Sequence, residues 1–361
     1  MKKNIFAALF GSLLLTACSS DNGRFDALDM SATYPKSRDL QHFNDYVNFL
    51  KSKAAGQGVS ASTLNQQGQI NYIYRAVQLD REQAGRRRDP SLPPLPPNPN
   101  GVTNYLNKVL TQAKVNKAVE LWWQYQPQLT KASQKYGVPR EYLMALWGME
   151  SSFGRYQGNF DVLSVLATLA FDGRREKLFA GEFVNALKML DNKTLTRQEM
   201  KGSWAGAMGQ TQFMPTSYLK YAQDGNRDGR KDIWKEHYDV FASIANYLST
   251  VGWDKTRPWG VEVKLAQPMD LSLSGIEDNK AKSLAQWQAL GLYVAYPTSQ
   301  EMTKLAALNG TKLWLVRPDK EAGRAFLVSN NYRTLIDWNR SNNFAISIGK
   351  FADRIQAGVG L

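Results

Sequence analysis

Between Tyr105 and Leu248 apolar residues recur at helical spacing with little interruption, and this periodicity restricts the fold more than any other feature of the chain. Leu121-Trp122-Trp123, Leu163 to Phe171 and Phe179 to Leu190 each carry an apolar stripe of the kind helices bury against one another. Such stripes are ordinarily core, and their tryptophans need no ligand to explain them. One acid breaks the pattern. In Leu143-Met144-Ala145-Leu146-Trp147-Gly148-Met149-Glu150-Ser151-Ser152-Phe153-Gly154, the residues Leu143, Leu146, Trp147 and Glu150 fall at i, i+3, i+4 and i+7. That spacing places the carboxylate on the buried stripe. A carboxyl among apolar groups loses hydration when it ionises, so its pKa rises and it keeps a proton near neutral pH. A proton held there can pass to a leaving group, as cleavage of a glycosidic bond requires. The alternative is an acid exposed at the end of a surface helix.

Downstream, Gly202-Ser203-Trp204-Ala205-Gly206-Ala207-Met208-Gly209-Gln210-Thr211-Gln212-Phe213-Met214-Pro215 alternates small residues with amide and aromatic side chains. Its glycines let backbone approach a ligand closely, while Gln212 and Phe213 offer a hydrogen bond and a stacking face. Taken alone, the segment reads equally as a Gly-rich packing loop. Taken together, the two segments resemble the lytic murein transglycosylases of the lysozyme-like superfamily, most closely the membrane-bound lytic transglycosylase B family. The matching residues are Tyr136-Gly137-Val138-Pro139 leading into Gly148-Met149-Glu150-Ser151, then Leu166-Ala167-Thr168-Leu169, Arg174-Arg175, and Lys201-Gly202-Ser203 through Met214-Pro215. The similarity runs from about Tyr105 to Tyr247, with a fainter echo at Asn331-Tyr332. Several ordered motifs at compatible spacing are more specific than any one of them.

The resemblance implies cleavage of peptidoglycan glycan strands between N-acetylmuramic acid and N-acetylglucosamine, without water, leaving 1,6-anhydromuramic acid ends. It makes Glu150 the acid that protonates the glycosidic oxygen and then the base that takes the proton from the muramic C6 hydroxyl. Ser203 and Gln212 are implied to hydrogen-bond the sugars, Phe213 to shape the floor, and Tyr105, Tyr247 and Asn331 to line the groove. Arg174 and Arg175 are candidates for a peptide or lactyl carboxylate, or form a solvated basic corner. The family's usual arginine after the first of these tyrosines is replaced by Leu106. Most glycosidases need two carboxylates flanking the bond. Here one acid stands out, with Asp161 and Asp172 the next downstream and nothing marking either as a partner. A hydrolytic muramidase using the same acid, and a wall-binding lipoprotein that has kept the groove without turnover, are the competing interpretations.

Asp224-Gly225-Asn226-Arg227-Asp228-Gly229-Arg230-Lys231-Asp232 resembles the opening of an EF-hand loop. Oxygen ligands recur at positions 1, 3 and 5 (Asp224, Asn226, Asp228), a glycine makes the turn at 6, and Arg230 can offer its carbonyl at 7. Position 12 is Lys235 where the standard loop has a bidentate glutamate, and Asp239 is the nearest acid able to close the shell. The family has an EF-hand-like loop of unusual length, which implies a structural Ca²⁺; an Asx-rich turn without metal is the alternative. The chemistry itself needs no cofactor.

The N-terminus reads as a signal peptide over residues 1–17, with Lys2 and Lys3 ahead of an apolar run from Ile5 to Leu15 too short to span a bilayer. Leu15-Thr16-Ala17-Cys18 resembles a bacterial lipobox, with Cys18 as the lipid-modified residue, and Ser19 after it favours the outer membrane. The expected location is therefore the periplasmic face of the outer membrane of a Gram-negative bacterium, anchored in lipid through Cys18. Cys18 is the sole cysteine, which excludes an intramolecular disulfide and any cysteine-based metal cluster. Removing residues 1–17 takes away two lysines and no acids, so the formal charge of +13 becomes +11. Arg86-Arg87-Arg88 is the lone concentrated basic stripe, so a wall substrate bearing carboxylates fits the charge better than nucleic acid. The two histidines, His42 and His237, form no His-Glu-x-x-His arrangement, and no nucleophile elbow or phosphate loop is present.

These segments predict a mainly α fold: a lysozyme-like helical core, an additional helical lobe and a small β-containing insertion. A tether occupies 18–40, and a helical lobe with a Pro-rich connector occupies 41–104. The core spans 105–254, a small β-containing domain spans 255–330, and a C-terminal segment, 331–361, packs a helix back on the main body. Phe43 to Leu50 and Tyr72 to Leu79 read as helices, and Arg81 to Gly101, charged and then proline-rich, as extended. Val261, Val263 and Leu265 alternate with polar residues, and Leu313 to Val316 and Phe326 to Val328 are strand-like. Peptidoglycan strands are the expected partner, with cell-wall synthesis enzymes as a further class.

Overall fold

The computed structural model describes residues 33–34, 38–85 and 98–360. The signal peptide, Cys18, most of the tether, Arg86-Arg87-Arg88 and the proline run lie outside the described residues. What is described is mainly helical, with one four-stranded and one two-stranded antiparallel sheet.

Two helices organise the molecule. Val162–Phe171 is buried at every position, as expected of a helix apolar all round, and Asp161 starts it by accepting from the Ser164 amide at 3.1 Å. Phe43, Tyr46 and Leu50 of the Phe43–Gly56 helix pack in its cluster together with the Glu176–Asp191 helix. The N-terminal helices therefore share a core with the middle of the chain and have none of their own. Arg140–Ser151, which carries Glu150, centres a second core with Gln112–Gln124, Gln126–Tyr136, His237–Thr250 and Asn342–Val359. The Tyr74–Gly85 helix runs into the charged stretch read as extended, because its first residues are good helix formers and the prolines come only later.

The larger sheet has the spatial order Leu292–Val294, Gly260–Leu265, Ala325–Val328, Trp314–Val316. Val263 faces Val294, Gly260 faces Val328, and Trp314 also faces Val328 across the ladders. Alternate residues of these strands enter different cores. Val261, Val263, Leu315 and Leu327 join Trp287 and Leu308, whereas Trp314, Val316, Phe326 and Val328 join the core of the Glu150 helix. Both faces are thus covered, and the polar position between Val261 and Val263 does not face water. Glu262 is buried and ion-paired with Arg324 at 2.5 Å and Lys350 at 3.2 Å. Burial opposes its ionisation, but these two cations hold the carboxyl below its usual range.

Close helix contact depends on two glycines. A Cβ on Gly148 would stand 2.6 Å from the Phe153 ring and 2.9 Å from Phe351. On Gly349 it would stand 2.3 Å from the ring of Trp259, a fully buried residue. Alanine would ordinarily stabilise a helix interior by about 0.5–1 kcal/mol relative to glycine. Gly349→Ala is expected to do the reverse, lowering stability in urea by roughly 1–3 kcal/mol through overpacking. A variant as stable as the parent would show that Trp259 has room to move.

Candidate functional site

Glu150 occupies the last turn of Arg140–Ser151, and the chain reverses immediately after it. Ser152, Phe153 and Gly154 take positive φ in succession (50°, 60° and 81°), a costly conformation for the first two. It is held by the Phe153 amide donating to Trp147 O at 3.3 Å and the Gly154 amide donating to Ser151 Oγ at 3.0 Å. The turn folds Phe153 back under Gly148 and leaves the Glu150 side chain half-buried at the helix end.

A tryptophan from far along the chain meets that carboxylate. Trp338, the last residue of the Asn330–Trp338 helix, donates its Nε1 hydrogen to Glu150 Oε1 at 2.6 Å. Burial pushes the Glu150 pKa up to about 7, and the Trp338 hydrogen bond works against that rise by favouring the ionised form. Although some of the side chain meets solvent, protein atoms crowd it closely enough for desolvation to dominate. Of the other acids near it in sequence, Glu141 stands in the first turn of the same helix, at its opposite end, and the next two are engaged elsewhere. Asp161 pairs with Arg197 at 2.7 Å, and Asp172 pairs with Arg81 at 2.5 Å.

Around Trp338 stands an aromatic cluster. Its ring lies 4.7 Å from Tyr247 and 5.4 Å from Phe213, and those two rings are 6.0 Å apart. Tyr247 donates its hydroxyl to Asp337 O at 3.0 Å, and burial lifts its pKa to about 12. Phe213 is reached through a tight turn: Gln212 has φ 51°, and the Phe213 and Met208 amides bond each other's carbonyls at 3.1 and 2.8 Å. Both amide hydrogens of Gln212 go to backbone, to Gly209 O at 2.8 Å and Gln157 O at 3.3 Å, so its oxygen is the end left to meet a ligand. Ser203 Oγ accepts from the Ala207 amide at 3.1 Å and the Ala205 amide at 3.3 Å, shaping the loop before it. Tyr105 approaches from the first helix of the Glu150 core. Burial raises its hydroxyl pKa, a hydrogen bond with Ser347 opposes the rise, and the Glu150 charge adds to it, which places the phenol within electrostatic reach of the acid.

Three residues expected in the groove are committed elsewhere. Arg174 and Arg175 both bind Asp80, Arg174 Nε at 2.6 Å from Oδ2, with the Nη2 atoms of both on Oδ1. Asp80 is buried on the Tyr74–Gly85 helix. Burial works against its charge, yet the two guanidiniums hold its pKa below the usual range. A buried carboxylate needs such partners, so the pair ties the N-terminal helices to the core and is not brought to Glu150. Asn331 is fully buried: its Oδ1 accepts from the Asp254 amide at 2.7 Å, and its Nδ2 donates to Asp254 O and Arg257 O. It staples a loop and has no polar atom left for sugar.

In the Asp224–Asp232 loop the Asx oxygens face backbone. Asp224 Oδ1 accepts from the Arg227 and Asp228 amides and Oδ2 from Gly229, Asn226 Oδ1 accepts from Asp228, and Asp228 Oδ1 accepts from Arg230. Asp239 does not complete a shell of carboxylates. It is fully buried, and its two oxygens accept from the Gly225 and Asp232 amides, both at 2.7 Å, so it pins together the two ends of the loop. Burial raises its pKa to about 6 against those amide bonds. Arg230 reaches Glu199 at 2.8 Å. Among the described residues no three His, Cys, Asp or Glu side chains converge as for a metal. His237 stacks on Tyr125 at 4.2 Å and burial lowers its pKa, which suits a neutral core imidazole.

Two residues of the site escaped sequence reasoning. Trp338 carried one available signal, since a partly buried indole N–H requires an acceptor. Gln210 carried none. It accepts from Trp147 Nε1 at 2.6 Å and donates to Trp234 O at 2.9 Å, fastening the Glu150 helix to the Gly-rich segment.

Known proteins resemble the chain in sequence and fold. Residues 42–353 match the transglycosylase SLT domain family. Over 272 residues the chain is 31% identical to membrane-bound lytic murein transglycosylase B of Escherichia coli (strain K12), covering 72% of this chain and 69% of that protein. SltB3 from Pseudomonas aeruginosa, solved in complex with NAG-anhNAM-pentapeptide, is similar with a TM-score of 0.75 and 33% identity over 88% of this chain and 80% of that one. The Escherichia coli lytic transglycosylase Slt35, solved in complex with calcium, is similar with a TM-score of 0.70 and 26% identity over 90% of this chain and 100% of that one. The mainly α, lysozyme-like fold is thus common to the chain and these two solved structures, and the chain belongs to the family of proteins built on the transglycosylase SLT domain.

Proposed function

We propose that the chain is a lytic transglycosylase that cleaves the β-1,4 bond between N-acetylmuramic acid and N-acetylglucosamine in peptidoglycan and leaves 1,6-anhydromuramic acid ends. The observation that carries the residue assignment is a lone carboxylate with a pKa near 7, set beside an aromatic floor. Protonated, Glu150 delivers its proton to the glycosidic oxygen as the bond from C1 to that oxygen breaks. The resulting carboxylate then takes the proton of the muramic C6 hydroxyl as O6 bonds to C1. The pair of the broken bond leaves with the protonated N-acetylglucosamine oxygen, O6 supplies the pair of the new bond, Glu150 ends protonated as it began, no water is consumed, and one group near neutral pKa serves both steps. With Asp161 and Asp172 paired to arginines and Glu141 at the opposite end of the same helix, a second carboxylate for hydrolysis is not at hand among those nearest in sequence.

Phe213 and Tyr247 supply stacking surface for sugar rings, Tyr105 and the Gln212 oxygen supply hydrogen bonds, and Ser203 shapes the loop that borders them. Trp338 acts through Glu150, fixing one carboxylate oxygen so that the other carries the proton. The Asp224–Asp232 loop would hold Ca²⁺ in a structural role, with Asp224, Asn226, Asp228 and the Arg230 carbonyl turning to it as ligands and Asp239 bracing the loop from behind; an oxygen-only donor set suits this hard cation. The lipobox-like Leu15-Thr16-Ala17-Cys18 and a membrane-bound relative support anchoring at the periplasmic face of the outer membrane. Among the described residues no helix is long and apolar enough to cross a membrane.

Muropeptides released from purified sacculi should be lighter by one water than hydrolysis products and should resist borohydride reduction. Reducible products at full activity would leave a hydrolytic muramidase instead. Glu150→Gln, which keeps the shape but cannot deliver a proton, should lower release by about 10²–10⁴-fold while the fold persists.

The alkaline limb of kcat/KM should lie near pH 7, because activity requires protonated Glu150 and is lost as pH rises through its pKa. Trp338→Phe removes a bond that favours the carboxylate, so this limb should move upward by about one unit. An unmoved limb would deny Trp338 this role.

Asp224→Ala should erase any calcium-dependent gain in Tm, since a ligand bound only by the folded state stabilises it. A parent protein that melts identically in millimolar calcium and in chelator would reduce the loop to a turn.

A further inference from the structure

A cavity of about 1030 Å³ lies apart from Glu150, which is not among its lining residues. It lies between the 154–159 turn, the 194–201 segment and the 230–235 part of the Asx-rich loop. Five cations line it, Arg155, Lys201, Arg230, Lys231 and Lys235, against two carboxylates. Of the two, Glu199 is matched by Arg230 at 2.8 Å, and Asp232 accepts from the Trp234 and Lys235 amides at 3.0 and 2.9 Å. Arg155, Lys201, Lys231 and Lys235 form no ion pair among the described residues. Cations gathered around a concave wall focus a positive potential that favours anions.

The wall is not wholly polar. Leu195, Tyr218 and Trp234 form a buried floor, and the Tyr156 ring stands 62% exposed at the rim beneath the Arg155 guanidinium, 5.3 Å from its centroid. Such a mixture suits a ligand with several carboxylates separated by short apolar groups. The cavity also adjoins the site built on Glu150. Gly154, on its wall, lies four residues beyond that acid, and Gln157, also on its wall, accepts from Gln212.

We infer that this cavity is a peptide site that takes the carboxylate-bearing stem peptides of the wall, separate from the surface that holds the glycan. The inference rests on the wall-cleaving activity proposed above: a strand drawn past Glu150 carries its peptides with it, and the cavity opens beside that path. The carboxylates meet the unpaired lysines and Arg155 in charge-assisted hydrogen bonds, and alanine methyl groups meet Tyr156 and Trp234.

The test uses the full chain and a sugar-free stem tetrapeptide with free carboxylates, titrated by calorimetry at low and high salt. Cleavage of peptide-stripped glycan strands is measured in parallel. The parent should bind the peptide, more weakly as salt screens the charges. Arg155→Glu combined with Lys231→Gln should weaken binding by about tenfold or more, the loss expected for a charge-assisted hydrogen bond, while stripped glycan is cut at the parental rate. Equal peptide affinity in parent and variant, or no peptide binding by a parent that cuts stripped glycan, would overturn the site. Peptide binding without glycan cleavage would instead overturn the proposed function and leave the site standing.

Discussion

The hydrogen bond from Trp338 to Glu150 joins residues 188 positions apart, and much of the architecture serves to make that meeting possible. Arg140–Ser151 must be buried along its length for its last side chain to lose hydration. The Asn342–Val359 helix lies against it, close enough that Gly148 and Phe351 touch. The Asn330–Trp338 helix is in turn fixed by Asn331, whose amide holds the 254–257 turn. Loosening any of these would return water to the carboxylate and its pKa toward the ordinary range. The positive-φ turn after Glu150 belongs to the same requirement, since it ends the helix abruptly and keeps the chain from covering the acid.

Helical periodicity made the mainly α class legible, because a stripe of apolar residues is a local property. The same is true of Glu150, whose position on that stripe follows from its distance to Leu143 and Trp147. What resisted reading was partnership across the chain. Nothing local distinguishes Arg174 and Arg175 as counterions of Asp80 from the same pair as ligands for a carboxylate in solution. Asn331 in a groove and Asn331 inside a turn have one sequence. Glu262 looks like the solvent side of an alternating strand until Arg324 and Lys350 are seen beside it. Trp338 and Gln210 were silent for the same reason: each acts through an acceptor or donor far away in sequence.

The Asx-rich loop shows how one set of residues can meet two demands. Its side-chain oxygens accept amides of the loop itself, and Asp239 clasps its two ends from a buried position on the His237–Thr250 helix. A loop so braced is ordered through its own hydrogen bonds, so a cation would find donors already gathered. Its outer residues, Lys231 and Lys235, meanwhile face the cavity beside the 154–159 turn. Shape on one side and charge on the other are thus supplied by a single short segment.

The sequence distance between Glu150 and Trp338 also has a temporal meaning. Chains are made at about 5–20 residues per second, so roughly ten to forty seconds separate the appearance of the acid from that of its indole partner. Until then Glu150 belongs to a nascent segment whose core lacks the Asn342–Val359 helix, and a hydrated carboxyl there titrates as an ordinary glutamate. Contacts of such long sequence separation also form late and slowly during folding. The acid therefore acquires its unusual proton affinity as one of the last events of maturation, and a wall-cutting centre assembled in that order stays chemically silent while the chain is being made.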